Sequence, residues 1–137
     1  MNKEELRERM TVFAVRIIKM VDAMPSSVAG QAIARQIIRS GTSPSANYRA
    51  ACLAKSEKDF INKLKMVEEE LDETCHWLEI IMRSEMMKES RMKPLHQECS
   101  ELLNIIAKSI VTTKTRMNAD EIAKSKNRIE NSCKLSK

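Results

Sequence analysis

Glycine, proline and aromatic side chains are scarce in this chain of 137 residues, which holds two glycines, three prolines, one Trp, one Tyr and two Phe. Sheet-rich folds take their turns from glycine and proline and their strands from aromatic and β-branched residues, so this scarcity argues against one. With only Gly30 and Gly41, there is no glycine-rich loop to cradle a phosphate. No run of about 18 apolar residues occurs, so no segment reads as a membrane span. The opening residues Met1-Asn2-Lys3-Glu4-Glu5 are charged and contain no apolar signal region. Cys52, Cys75, Cys99 and Cys133 are widely spaced, with no Cys-x-x-Cys pair. In a chain read as leaderless they are expected to be reduced thiols of a cytoplasmic protein.

What remains is helix-forming material. Ten methionines accompany abundant Ala, Leu, Ile, Glu and Lys. The length suits one domain with a sizeable core. Leu6, Met10, Phe13, Ile17, Met20 and Met24 recur at 4-3 spacing and define a first helix, ended by Pro25. Ser26 or Ser27 then suits the cap of a second helix, which carries Ala29, Ile33, Ile37 and Ser40. Gly41 and the pair Ser43-Pro44 predict a break there, with a short helical piece resuming to about Ala54. A single kinked helix is the alternative. Ser56 with Asp59 opens a third helix along Phe60, Leu64, Val67, Leu71, Thr74, Leu78 and Ile81, with Trp77 and Ile80 widening the stripe. After a turn at 85–92, a fourth helix carries Leu95, Cys99, Leu102, Ile106, Ile110, Thr113 and Met117. Short connections between long helices predict an all-α, antiparallel up-down-up-down four-helix bundle over residues 1–117. Residues 118–137 read as a basic tail, partly disordered or short-helical.

Charge is uneven. Residues 1–55 carry nine basic and four acidic side chains, residues 56–90 five and ten, and residues 91–137 ten and five. The third helix is therefore acidic, and the second helix and the tail are basic, which suits either faces that attract each other or a footprint for nucleic-acid phosphates. Arg35 and Arg39 lie one helical turn apart, and Arg49 follows beside Asn47. Tyr48 is the one aromatic placed to stack on a base, so binding would follow backbone and shape more than base sequence.

Catalytic arrangements are incomplete. Glu73-x-x-His76 resembles half of a bundle di-iron site, but that site needs a second such motif and two further glutamates. The other histidine, His96, has Lys93 where the glutamate should stand. Cys75 and His76 are adjacent, so on a helix they diverge by about 100° and cannot form a nucleophile–base pair. Ser40 and Ser43 have no neighbouring base in sequence. The expectation is a protein that is not an enzyme and holds no metal or other cofactor.

The residues Arg39-Ser40-Gly41-Thr42-Ser43, Ala46-Asn47-Tyr48-Arg49, Ser56, Asp59-Phe60-Ile61, Lys63-Leu64, Asp72-Glu73-Thr74 and Trp77-Leu78-Glu79 carry a resemblance. Over about residues 8–117 the chain resembles the 23S rRNA-intervening-sequence (S23-type) proteins. It departs from their pattern at Pro44, where Ile or Val is common, at Ala50, where an acid is common, and at His76, which replaces a frequent Tyr. Without that acid at position 50, one of the motif arginines is freer. The resemblance implies a four-helix bundle assembling into a ring, typically a homopentamer, with no known enzymatic activity. Distant relatives are accessory subunits of diversity-generating retroelements, where a basic pentamer binds a reverse transcriptase and its RNA.

Together these features predict a ring-forming bundle that binds nucleic acid, structured RNA first, or a nucleoprotein partner. A protein-binding scaffold, such as a reverse-transcriptase accessory subunit without direct nucleic-acid contact, is the alternative. The residues expected at phosphates are Arg35, Arg49, Lys55, Lys58, Lys124, Lys126 and Arg128. Those expected in structural or subunit-interface roles are Arg39, Ser43, Asn47, Glu69, Glu73 and Trp77. A buried Arg39 would need pairing with acids of the third helix and acceptors such as Ser43 and Asn47.

Overall fold

The computed structural model describes the backbone of residues 1–135 and the side chains of residues 1–134. Four helices follow one another: α1 (Lys3–Asp22), α2 (Val28–Cys52), α3 (Glu57–Arg83) and α4 (Glu89–Leu135). The connections span residues 23–27, 53–56 and 84–88, too short for anything but antiparallel neighbours. Each helix packs on the next in sequence, and α4 returns to α1 over a shorter contact. The result is the all-α four-helix bundle that the 4-3 spacing predicts.

The helix starts are set by local chemistry. At α1 the Asn2 side chain accepts from the Glu5 amide at 2.8 Å, and the Glu5 carboxylate answers to the Asn2 amide, a reciprocal capping box. Ser27 caps α2 by accepting from Gly30, and Ser56 caps α3 by accepting from Asp59. At Ser56 the bond runs one way only, so Ser56 and Asp59 make half of a capping box. The turn before α4 is tighter than its expected span. Glu85 takes a left-handed conformation with φ 60°, and the helix resumes at Glu89, ahead of Pro94.

The core is built from the periodic residues. Leu6, Met10, Phe13, Ile17 and Met20 of α1 are buried, as are Leu64, Val67, Leu71, Leu78 and Ile81 of α3 and Leu95, Cys99, Leu102, Ile106 and Ile110 of α4. The second helix corrects the sequence reading. It runs without a break from Val28 to Cys52, with Pro44 inside it. Proline in a helix interior removes one backbone hydrogen bond and costs about 3 kcal/mol. Here the cost is met by packing, because Gly30, Ile37, Ser40, Gly41, Pro44, Tyr48 and Ala51 form one continuous buried stripe. A Cβ on Gly41 would stand 2.8 Å from the Ile17 side chain, so glycine at 41 permits a close α1–α2 approach rather than a turn. Buried Ser40 receives the Thr74 hydroxyl at 3.0 Å, a polar link inside the α2–α3 seam. Nearby, Thr42 bonds back to the Ile38 carbonyl and Ser45 to that of Thr42, keeping these hydroxyls within their own helix.

The segment expected to be a partly disordered or short-helical tail continues α4 instead. The helix passes Met117 and reaches Leu135, while residues 136 and 137 of that segment lie outside the described residues. No glycine or proline follows Pro94, and Asp120–Lys124 and Glu130–Lys134 stand at the spacing that supports an isolated helix. Every described side chain from 118 to 134 is exposed.

Candidate nucleic-acid interface

Antiparallel packing brings the starts of α1 and α3, the end of α2 and the middle of α4 to one end of the bundle. Two open grooves lie there. The larger, about 820 Å³, has a floor of Leu6, Tyr48, Ala51, Phe60 and Ile105 and is bordered by Lys3, Lys55, Lys108 and Arg116. The smaller, about 340 Å³, lies where α3 begins and α4 leaves the bundle, between Lys58, Lys65, Lys114 and Glu121. Seven cationic side chains therefore surround the first turns of α3. Glu57 is the acid in the larger groove, and Arg116 already neutralises it at 2.8 Å. Lys55, Lys58, Lys65, Lys108 and Lys114 make no ion pair among the described residues. Lys3 lies 4.6 Å over the Phe60 ring.

Tyr48 sits under this end with its ring buried. Burial first, and the neighbouring Cys52 second, push its phenol up to about 12. It stays neutral at physiological pH and belongs to the floor, so it is not free to stack on a base. The opposite end of the bundle is electrically different. Around its groove at Met82 and His96, Arg83 pairs with Glu79 and Lys93 with Glu89.

The sequence-predicted residues fall into three places. Lys55 and Lys58 are at the basic end, exposed. Lys124, Lys126 and Arg128 lie on the exposed part of α4 that begins at the same end. Arg49 is exposed near the end of α2. Arg35 is also exposed but lies 14 residues earlier, about 21 Å along the helix, and is not brought into the cluster. Lys3, Lys65, Lys108, Lys114 and Arg116 were not singled out by sequence, because their proximity depends on which helices adjoin.

Arg39 meets acids of the third helix, as a structural role requires, but at the surface and not buried. Its side chain is 52% exposed, and it spans α2 and α3 by pairing with Glu70 at 3.1 Å and with Glu73, within one chain. Ser43 and Asn47 do not serve it; Asn47 donates to Ser43 at 2.9 Å. Glu69 faces solvent. With Glu73 taken by Arg39 and His76 edge-on to Trp77 at 4.9 Å, the Glu-x-x-His pair is otherwise engaged. Among the described residues no three His, Cys, Asp or Glu side chains are grouped to hold a metal. Trp77 packs on the core, and its indole N–H is buried without a partner among the described residues. On the far side, Arg9 binds Glu98 at 3.0 Å and Glu101, whose carboxylates raise its affinity for its proton. No described helix is long and apolar enough to cross a membrane.

The family model described as 23S rRNA-intervening sequence protein matches residues 3–108. No curated protein matches the chain. A crystal structure of a protein of unknown function from the S23 ribosomal protein family of Bacteroides thetaiotaomicron VPI-5482 is similar, with 32% identity and a TM-score of 0.74. The alignment covers 80% of this chain and 98% of that one. The four-helix architecture, the span of the family match and this structural likeness agree: the chain belongs to the 23S rRNA-intervening sequence protein family.

Proposed function

We propose that this protein is a non-enzymatic, ring-forming helical bundle of the cytoplasm that binds structured RNA through the basic end of each subunit. The observation that carries the reading is the cluster of seven cations around the start of α3, of which, among the described residues, only Arg116 is paired to an acid. Exposed, unpaired lysines release counterions when they meet phosphates, so such a cluster favours a polyanion. The family's connection with ribosomal RNA favours RNA among polyanions. Lys124, Lys126 and Arg128 extend the basic surface along a helix that runs about 27 Å past Met117. For ring assembly, Val12, Val15 and Ile18 form an exposed apolar row on α1, suited to a neighbouring subunit.

The test is a gel shift of the full chain with a structured RNA at two salt concentrations. The reading expects binding that weakens steeply with salt, and a weaker salt dependence after Lys55→Gln with Lys58→Gln. Absence of binding at low salt overturns it. Light scattering tests the assembly, with a multiple of the 15.7 kDa chain expected. A second reading, a protein scaffold that serves a reverse transcriptase without touching nucleic acid, is favoured by the exposed Ile122 and Ile129 of α4. It predicts no RNA shift at any salt concentration.

A further inference from the structure

Cys75 and Cys99 were unremarkable in sequence, separated by 24 positions and on different helices. In the fold their sulfurs lie 2.9 Å apart across the α3–α4 seam. Two thiols in ordinary contact sit farther apart, and a disulfide requires about 2.05 Å. A small side-chain rotation therefore separates this pair from a bond. The two sulfurs differ in setting. Cys99 is fully buried and donates to the Leu71 carbonyl at 3.3 Å, whereas Cys75 is half-buried and has the Ser100 hydroxyl at 4.0 Å.

We propose that Cys75 and Cys99 form a redox-active dithiol, a modification site that low-molecular-weight disulfides convert to an intramolecular disulfide joining α3 to α4. Cys75 is the attacking sulfur because it is the less buried of the two. The close contact with Cys99 is the largest influence and lowers the proton affinity of Cys75, with Ser100 adding to it, while burial and Asp72 oppose. Cys99 is held protonated, chiefly by its contact with Cys75 and then by burial, with its S–H on the Leu71 carbonyl, so it waits as the resolving thiol. The Cys75 thiolate attacks one sulfur of the small disulfide, forming a mixed disulfide and expelling one small thiolate. The Cys99 sulfur then attacks the Cys75 sulfur and expels the second. The two cysteine protons pass to those leaving thiolates, so two protein thiols are oxidised and one small disulfide is reduced to two thiols.

The remaining cysteines provide the controls. Cys133 is exposed, and Cys52 lines the larger groove at the basic end with no sulfur partner among the described residues. Reduced full-length protein carrying Cys52→Ser is exposed to oxidised glutathione, quenched with an alkylating agent and weighed intact. Cys133 reports that the oxidant is competent, because it takes up a glutathione. The expected result is that Cys75 and Cys99 lose alkylation together, with a mass lower by two hydrogens, no glutathione retained on either, and one cross-linked peptide carrying both. Cys99→Ser is expected to trap glutathione on Cys75, and Cys75→Ser to leave Cys99 unmodified in the folded protein. A stable glutathione adduct on Cys75 while Cys99 is present overturns the proposal. So does full alkylation of both after Cys133 has reacted. The measurement on the chain retaining both cysteines stands even if Cys99→Ser fails to fold.

Discussion

The two parts of α4 are one continuous helix under two different physical regimes. From Glu89 to Met117 the helix buries Met92, Leu95, Cys99, Leu102, Ile106, Ile110 and Thr113 against its neighbours. From 118 to 134 nothing is buried, and Ile122 and Ile129 are 60% and 64% exposed. An isolated helix of that length is marginal in water, so the second part is held by propensity and by continuity with the first. The family match ends at residue 108, within the packed part. The comparison teaches that helical pattern and helical structure come apart at Met117: the apolar period stops, but the helix does not.

The largest test sets equal chemistry in unequal places. Ile106→Ala removes methyl groups from a fully buried site and is expected to cost about 2–5 kcal/mol. Ile122→Ala on the same helix is expected to change stability by less than about 0.5 kcal/mol. Urea denaturation of both variants measures the contrast. A large loss at Ile122 would mean that the exposed part is covered in the assembled protein.

The packed regime has a second test where backbones approach most closely. Gly41→Val puts side-chain carbon within 2.8 Å of fully buried Ile17, and overpacking of this kind costs about 1–3 kcal/mol. Pairing it with Ile17→Ala is expected to recover part of the loss, giving a non-additive double-mutant cycle. Additivity would mean that the helices separate freely and that Gly41 is not needed for contact.

These tests also mark what was legible in sequence. The 4-3 rows of α1, α3 and α4 needed only side-chain size and spacing, and their members are the core. Apart from Ile37 and Tyr48, the buried stripe of α2 is made of Gly, Ser, Pro and Ala, which a hydrophobic pattern does not register; Ala29, counted in the expected stripe, is exposed while Gly30 is buried. Gly41 and Pro44 read locally as a break, because the close approach of Ile17 to Gly41 and the burial of Pro44 appear only once the helices pack. The site behaves the same way. Lys55 and Lys58 stood out near a helix start, whereas Lys3, Lys108 and Arg116 join them only through antiparallel packing. The Cys75–Cys99 contact was hidden for that reason too.

A smaller effect is expected at the α2–α3 surface. Arg39→Ala removes pairs with Glu70 and Glu73, but a side chain half in solvent is screened, so about 0.2–1 kcal/mol is the expected loss. Added salt should shrink the difference between variant and parent, measured as urea midpoints at two ionic strengths. A loss that is insensitive to salt would assign the role to packing of the arginine stem.

The smallest expected effect on stability bears most on function. Replacing Lys124, Lys126 and Arg128 together with Gln touches three exposed side chains outside the core, so the urea midpoint should move by no more than about 0.5 kcal/mol of stability. Each phosphate contact contributes about 0.7–0.9 to the logarithmic salt slope of nucleic-acid binding, so three lost contacts should lower that slope by about 2. The packed part of α4 cannot behave this way, because a change that alters its partners also alters its folding. A lower slope with unchanged stability would make the exposed part a binding element supported by the bundle. An unchanged slope would confine RNA contact to the cations around the start of α3. A fall in stability with an unchanged slope would instead point to a protein neighbour packed along Ile122 and Ile129, as the scaffold reading requires.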